Sequence, residues 1–180
     1  MKQIFCAIAM LLGTFLVTSA PAQGPQQPTD EHKVLKQEVG TWKAKMKIWM
    51  PGSDQPLLAE GLEVNEMFGS FWVISKFEAD MMGQAFKGRA TLGYDPVKKK
   101  YVGTWFDNMN AHMTFMEGTY DEATKTMTFA TQGTGVDGKT MKGKNVVVTK
   151  EDGSRVFTMY QPIPGSDQLH KGMEVIYTKK

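Results

Sequence analysis

The sequence predicts an all-β protein: a closed, antiparallel up-and-down barrel of about ten strands, preceded by a short helix. About ten stretches with strand-like patterns follow one another at even spacing. The links between them are short and rich in Gly, Asp, Asn and Lys, as in hairpins that join neighbouring strands. Closure into a barrel leaves no unpaired edge strand, so a two-sheet sandwich is the second choice.

The N-terminal segment predicts export. Residues 1–22 contain Lys2, an apolar run and the sequence Ala20-Pro21-Ala22, which is the pattern of a cleaved signal peptide. The run of about 14 residues is shorter than the roughly 20 of a membrane span. We therefore expect a periplasmic or secreted protein with no membrane span after cleavage, an uncleaved anchor being the alternative. The mature chain would lack Cys6, the one cysteine, so packing rather than disulfides must stabilise it.

A polar, Pro-rich tether is predicted at residues 23–30, followed by a single barrel domain over residues 31–180. Thr29 or Asp30 could cap a short helix, and Gly40 is placed to end it. From Trp42 onward the pattern has a period of two. Trp42, Ala44, Met46, Ile48 and Met50 alternate with Lys43, Lys45 and Lys47, which predicts the first strand. Nine further strand-like runs extend from LLAEGLEVNEMF at residue 57 to GMEVIYTK at residue 172.

Several short segments occur twice. VGTW stands at residues 39–42 and 102–105, and PGSDQ at residues 51–55 and 164–168. The two pairs have different separations, which argues against a repeat array. In a closed meander the two PGSDQ turns would lie side by side on one rim. The turns in GYDPVKKKY and GTYDEATKTM also look alike, each with an Asp at the first turn position.

The segment Gly40-Thr41-Trp42 after the short helix resembles the G-x-W start of lipocalin-like, or calycin, barrels, in which the tryptophan plugs the closed end. In order and spacing, HKVLKQEVGTW, MMGQAFKGRATLGYDPVKKKYVGTWFDN, GTYDEATKTM and GMEVIYTKK resemble the bacterial family known as domain of unknown function 1579. The resemblance extends from His32 to Lys180. It implies a lipocalin-like barrel, in which Gly40 and Trp42 are structural, and it implies no activity.

Neither haem nor copper is expected as a cofactor. The chain is distantly similar to the nitrobindins, which hold haem through a histidine near the C terminus, where this chain has His170. Ala44 and Lys45 replace glycines of the nitrobindin opening, and His170 adjoins a turn, which predicts a solvated loop histidine. The segment MNAHMTFM offers thioether and imidazole groups that suit copper, but alternation along a strand divides them between two faces. The methionines instead predict an adaptable apolar interior.

A candidate catalytic pair follows the second VGTW. A two-residue hairpin at Met109-Asn110 would place Asp107 opposite His112, beside Trp105, where the carboxylate could orient an imidazole as a general base. A register slip of one residue would separate the pair. The alternative is an exposed ion pair without a catalytic role, and no nucleophile elbow or zinc-binding motif is found.

The expected function is the binding of a small apolar or amphipathic ligand inside the barrel. The candidate ligand-binding residues are Arg89, Trp105, Met113, Phe115, Tyr160 and Tyr177. Arg89 and Arg155 are the two arginines, and either could bind a ligand carboxylate if it pointed inward. The alternatives are an enzyme that uses the Asp-His pair and a filled barrel that acts through its surface, for example as a homodimer. A net charge of +2 gives no case for nucleic-acid binding.

Overall fold

The computed structural model describes residues 24, 26–50, 52–135, 138–163, 166 and 168–180. The predicted signal peptide and parts of both PGSDQ turns lie outside these residues. In the described part of the chain, no helix is long and apolar enough to cross a membrane.

Ten antiparallel strands close into one barrel, as the sequence predicts. Each strand pairs with its neighbours in sequence, and β1 pairs with β10 to close the ring. The elements are α1 Glu31–Leu35, a 3-10 turn Lys36–Glu38, β1 Gly40–Ile48, β2 Leu57–Phe68, β3 Trp72–Met81, β4 Gln84–Asp95, β5 Lys100–Asp107, β6 Thr114–Asp121, β7 Thr126–Thr134, β8 Thr140–Thr149, β9 Arg155–Pro162 and β10 Leu169–Lys179.

Strand β1 shows how the alternating pattern sets the two faces of the wall. Trp42, Ala44 and Met46 are buried in the barrel, while the lysines between them are exposed. Side chains alternate between the two faces along each strand, and directly paired residues of neighbouring strands face the same way. The strand register therefore assigns each side chain of the ring to the inner or the outer face. The inward set used below follows from this register.

The short helix covers one end of the barrel, which we call the closed end. Leu35 is fully buried and packs in one core cluster with Val73, Tyr101, Met127 and Phe129 from three strands. A second cluster, farther from the helix, contains Ala44, Met46, Phe77 and Val175. Phe86, Trp105, Phe157 and Met173 pack against this second cluster, so the barrel is filled at its closed end and between β1 and β10 and the aromatic side chains of β3, β4 and β5.

The junction between helix and barrel differs from the prediction in one detail. Gly40 does not end the helix, because α1 stops at Leu35 and Val39 is already extended. Gly40 instead begins β1 with a φ of 131°, a backbone conformation that side chains disfavour. Asp30 occupies the cap position, but its side chain makes no capping hydrogen bond.

The turns agree with their predicted similarities. Oδ1 of Asp95 accepts hydrogen bonds from the backbone of Val97 and Lys98, and Asp121 makes the same pair of bonds in its own turn. The strand ends next to the β1–β2 and β9–β10 connections lie side by side, because β1 pairs with β10; parts of the PGSDQ turns themselves lie outside the described residues. There the backbone N–H of Trp49 donates to the carbonyl of Gly172 at 2.9 Å.

Candidate functional site

The end of the barrel opposite the helix is surrounded by five hairpin connections, at residues 49–56, 82–83, 108–113, 135–139 and 163–168. We call this end the mouth. The inner side chains between the mouth and the closed-end core form the candidate site.

Three rings form an aromatic wall on one side of this space. Phe77, Phe86 and Trp105 face inward from β3, β4 and β5, with ring centroids 6.0–6.3 Å apart. The Trp105 ring lies directly over Gly88, where a Cβ atom would collide with it. Nε1 of Trp105 donates to Oδ2 of Asp107 at 3.0 Å, which fixes the orientation of the indole. The wall is thus an apolar surface with a defined geometry.

The opposite side, formed by β6 to β10, has smaller and more polar inner side chains. The small or polar ones are Thr114, Thr131, Gly133, Gly143, Asn145, Gln161 and His170, and Met141 and Met173 also face inward on these strands. We call the small or polar residues the polar wall. Met116 and Met159, which face inward near its middle, are only half-buried, whereas Met46 on the β1 side is 3 % exposed. The inner side chains of the polar wall are therefore less completely buried than those of β1.

Two groups of the polar wall carry buried atoms without a hydrogen-bond partner in the described structure. Asn145 is 8 % exposed, and its Nδ2 donates to the sulfur of Met116 at 3.7 Å, but its Oδ1 accepts nothing. Nδ1 of His170 is also unpartnered, while its Nε2 lies 3.4 Å from Nε2 of Gln161. A buried polar atom without a partner costs about 1–3 kcal/mol, which a ligand group could recover.

The structure corrects the predicted position of His170. It does not lie in a solvated loop, because β10 begins at Leu169, directly after the turn. His170 pairs with Gln161 of β9 and faces inward at the mouth. A bulge at Gly172 follows, so the alternation read from the rest of β10 does not extend to His170.

Asp107 and His112 are close in register but do not interact. Trp105 pairs with Thr114 as predicted, but the ladder ends there, and residues 108–113 form a longer loop than the predicted two-residue hairpin. Oδ1 of Asp107 accepts hydrogen bonds from the backbone of Met109 and Asn110, which folds the loop. His112 is exposed, and no hydrogen bond or ion pair joins it to Asp107. The carboxylate thus orients the loop and Trp105 rather than an imidazole.

The six candidate ligand-binding residues divide between the two faces. Trp105 is in the aromatic wall, and Tyr177 faces inward at the closed end. Arg89, Phe115 and Tyr160 lie on the outer face, and Met113 is in the loop at the mouth. The chain does not bring these six together. No motif in the sequence marks the residues of the polar wall. They can be identified only when the pairing of all ten strands is known, because that pairing decides which side chains face inward.

The second arginine, Arg155, lies in a buried ionic cluster at the closed end. It is 4 % exposed, pairs with Glu38, and donates from Nη2 to Oε1 of Glu63 at 3.0 Å. Its guanidinium stacks on the Trp42 ring at 3.9 Å. Nδ2 of Asn65 adds hydrogen bonds to Glu63 at 2.8 Å and to the Glu38 carbonyl at 3.0 Å. Arg155 therefore has protein carboxylates as partners, and not a ligand.

Burial changes the protonation behaviour of this cluster. Desolvation raises the pKa of the Glu63 carboxyl, against hydrogen bonds from Asn65 and Tyr177 that lower it. Desolvation also lowers the pKa of Arg155 to about 10 and raises that of Tyr177 well above its usual value. The attraction between Arg155 and Glu63 favours the charged forms of both groups, whereas burial by itself favours the neutral forms.

Two concavities, each of about 450 Å³, lie outside the barrel. One is on the outer faces of β1, β2 and β10, beside Leu58 and Ile176. The other is at the closed end, between the N-terminal segment and the rings of Phe71, Trp72 and Tyr94. In the described part of the chain, no three His, Cys, Asp or Glu side chains are grouped to hold a metal ion.

Comparison with known proteins identifies the family and the fold. Residues 27–179 match the family described as a protein of unknown function, DUF1579, so the chain belongs to that family. No curated protein matches it. The crystal structure of Rv2717c from M. tuberculosis is similar, with a TM-score of 0.62 and 9 % identity, over 86 % of this chain and 99 % of that one. A redesigned β-barrel aligns over 82 % of this chain and 95 % of its own, with a TM-score of 0.43 and 11 % identity. At these identities the likeness to Rv2717c shows the barrel fold alone.

Proposed function

We propose that this DUF1579 protein binds one small amphipathic molecule in the mouth half of its barrel. The observation that carries the proposal is the pair of unlike walls on opposite sides of the barrel, one aromatic and one with unpartnered polar atoms. In a ring of ten strands, β8 lies opposite β3 and β10 lies opposite β5. Asn145 therefore faces the side of Phe77, and His170 faces the side of Trp105.

The walls define the chemistry of the ligand. A flat apolar portion would pack on the aromatic wall. A hydroxyl or amide group would donate to Oδ1 of Asn145 and interact with Nδ1 of His170, the two unpartnered atoms. Asp107 is occupied by Trp105 and its own loop, and Arg155 by Glu38 and Glu63, so neither charge is available to a ligand. An uncharged ligand fits best. With the predicted signal peptide, we place this binding in the periplasm or outside the cell.

The proposal is tested by filling the interior. N-phenyl-1-naphthylamine is an uncharged amphiphile with an N–H donor, and its fluorescence rises in apolar surroundings. We expect saturable binding to the wild-type protein and a loss of at least about tenfold in affinity in Thr131→Phe, whose ring would occupy the space between the walls. Asn145→Leu should weaken binding by about five- to tenfold, because it removes the acceptor.

A matched control is available on the same strand. Ala130 precedes Thr131, faces outward and is exposed, so Ala130→Phe adds the same ring outside the barrel. Equal affinity in the two phenylalanine variants would contradict the proposal. Native mass spectrometry of protein purified from its own organism adds a probe-free readout, in which a retained ligand appears as excess mass.

A further inference from the structure

Two of the four tryptophans are paired with a cation of the same chain. The guanidinium of Arg155 lies 3.9 Å from the centre of the Trp42 ring, and Nζ of Lys171 lies 4.4 Å from that of Trp49. A third tryptophan belongs to the aromatic wall. Trp72 is the exception, because it is 39 % exposed and, among the described residues, neither a cation nor a second ring lies on it. Its ring is therefore available to a group from outside the chain.

The Trp72 ring has a fixed position on the barrel wall. It projects outward from the first residue of β3 and lies over Gly93 of β4, where a Cβ atom would be 2.5 Å from Cε3 of the indole. The ring also lines the concavity of about 450 Å³ at the closed end, which we call the closed-end concavity. This volume is within the range of about 300–1,000 Å³ that is usual for small-molecule sites.

Two further rings line the closed-end concavity from other elements. Phe71 is in the β2–β3 turn, and Tyr94 is near the end of β4. The ring of His32 lies between them, with its centroid 5.2 Å from that of Phe71 and 5.7 Å from that of Tyr94, and both contacts are nearly perpendicular. Nδ1 of His32 accepts a hydrogen bond from the backbone N–H of Thr29 at 3.0 Å, which orients the imidazole. Phe71, Trp72 and Tyr94 thus present separate surfaces to one concavity.

The charged lining of the concavity is acidic. Asp95 lines it, and no lysine or arginine of the described residues does. Oδ1 of Asp95 accepts hydrogen bonds from the backbone of Val97 and Lys98, whereas Oδ2 makes no hydrogen bond within the part of the chain that the structure describes. One carboxylate oxygen can therefore interact with a bound group while the other maintains the turn.

A second carboxylate adjoins the same rings. Oε1 of Glu31 accepts a hydrogen bond from the Tyr94 hydroxyl at 3.4 Å. Burial, and after it the negative charges of Glu31 and Asp95, raise the pKa of the Tyr94 phenol. The two nearest lysines form ion pairs with Glu117 on β6 instead. These charges favour a cation over an anion at the concavity.

We propose that the closed-end concavity binds an organic cation through a quaternary ammonium group. The face of an aromatic ring attracts a cation that lies over it, and tryptophan does so most strongly. The methyl groups of a quaternary ammonium suit the apolar rings, and its charge suits Asp95. A small metal ion requires several oxygen ligands, which aromatic rings do not supply. The site lies outside the barrel and is independent of the proposed interior site.

Choline and an uncharged molecule of the same shape test the proposal. In neohexanol a carbon atom replaces the nitrogen of choline, so the two molecules differ in charge and hardly in size. Isothermal titration calorimetry at about pH 8, where histidine side chains are neutral, measures both affinities. We expect saturable binding of choline at one site and binding of neohexanol that is weaker by at least about tenfold.

Three variants test the lining residues. Trp72→Leu should weaken choline binding by at least about tenfold, whereas Trp72→Phe, which keeps an aromatic ring, should weaken it by less than about fivefold. Asp95→Asn keeps the Oδ1 acceptor of the turn and removes the charge. We expect this variant to bind choline about three- to fivefold more weakly at about 0.1 M salt.

Trp49→Leu is the matched control. Trp49 follows β1 at the other end of the barrel and has Lys171 over its ring, so its loss should leave the affinity for choline unchanged. Equal affinities for choline and neohexanol would overturn the proposal, because the concavity would then select apolar groups and not cations. Absence of choline binding to the wild-type protein would also overturn it, as would wild-type affinity in Trp72→Leu.

Discussion

Arg155 is the clearest case of a side chain whose role depends on its face. It pairs with Glu38 and Glu63 and stacks on Trp42, so it links β9 to β1, β2 and the helical segment. Arg89 points outward from β4 and donates from Nη1 to the carbonyl of Gly88 at 2.7 Å. A charge buried with its partners contributes to stability mainly because its removal leaves those partners unpaired.

We predict that Arg155→Met lowers the free energy of unfolding by about 3–5 kcal/mol at neutral pH, because it leaves the buried Glu63 carboxylate without its cation. Arg89→Met, on the outer face, should change it by less than about 1 kcal/mol. Urea denaturation of both variants measures the difference. A similar loss of unfolding free energy in the two variants would show that the buried ionic cluster contributes no more to stability than the outward-facing Arg89 does.

The same variant should show a characteristic pH dependence. Burial raises the pKa of Glu63, and Arg155→Met removes the cation that lies 3.0 Å from this carboxylate and favours its charged form. The folded state then binds more protons than the unfolded state at pH values above about 4.5, so the free energy of unfolding falls as the pH rises through that window. We expect the deficit relative to wild type to be smaller at about pH 5 than at about pH 8. A deficit independent of pH would exclude Glu63 as its cause.

At the scale of the element, the two VGTW segments prove to have different uses. In the first, Gly40 adopts a left-handed backbone and Trp42 fills the closed end. In the second, Gly103 faces inward in β5, where a Cβ atom would collide with the backbone oxygen of Thr91. Trp105 then lies on Gly88 in the aromatic wall. The two segments have the same sequence, but glycine is required for a different structural reason in each, and in each it precedes an inward-facing tryptophan.

Gly103→Ala should therefore destabilise the protein by about 1–3 kcal/mol, since the colliding atom belongs to the backbone and the strands must separate. Gly133→Ala is the matched control on β7. Its added Cβ would lie 3.0 Å from the Thr114 hydroxyl, which can rotate away, so the loss should stay below about 1 kcal/mol. Thermal or chemical unfolding compares them, and an equal loss in both would contradict the steric explanation.

Strand positions were largely predictable, because alternation and turn residues are local signals. The Asp95 and Asp121 turns were recognised as alike for this reason. The β5–β6 loop was not, because its length depends on the Asp107 side chain, which bonds to the backbone of Met109 and Asn110 and ends the pairing early. A side chain can take hydrogen bonds from backbone groups that would otherwise pair between strands. The pattern of hydrophobic residues does not show such a bond.

For the whole molecule, the closed barrel was predictable because short links force consecutive strands to be neighbours. The candidate site was not. Thr131, Asn145 and Gln161 can be assigned to a site only when the ring is complete and their strands lie opposite β2, β3 and β4. His170 was assigned to a loop because it adjoins the PGSDQ turn, whereas β10 begins at Leu169, directly after that turn. A site built across a barrel depends on the register of every strand, which local patterns do not contain.

The two halves of the barrel should also differ in dynamics. The short helix covers the core around Leu35, whereas no helix of the described residues lies over the strand ends at the mouth. We predict that amide hydrogen exchange is slowest near Val73, Tyr101 and Phe129 and faster in the strand ends at the mouth. Leu35→Ala should remove this difference and cost about 2–5 kcal/mol. Uniform protection along the strands of the wild-type protein would contradict the division into halves.

Both ends of the described chain lie on the same side of the barrel. Gln26 and Gln27 lie against the closed end, and the backbone N–H of Lys180 donates to Thr41 beside the plug. A fluorescent domain or an immobilising tag can therefore be attached at either terminus while the opening faces away from it. Surface-coupled protein would present its mouth to the solution, an orientation that makes binding measurements on a sensor chip practicable.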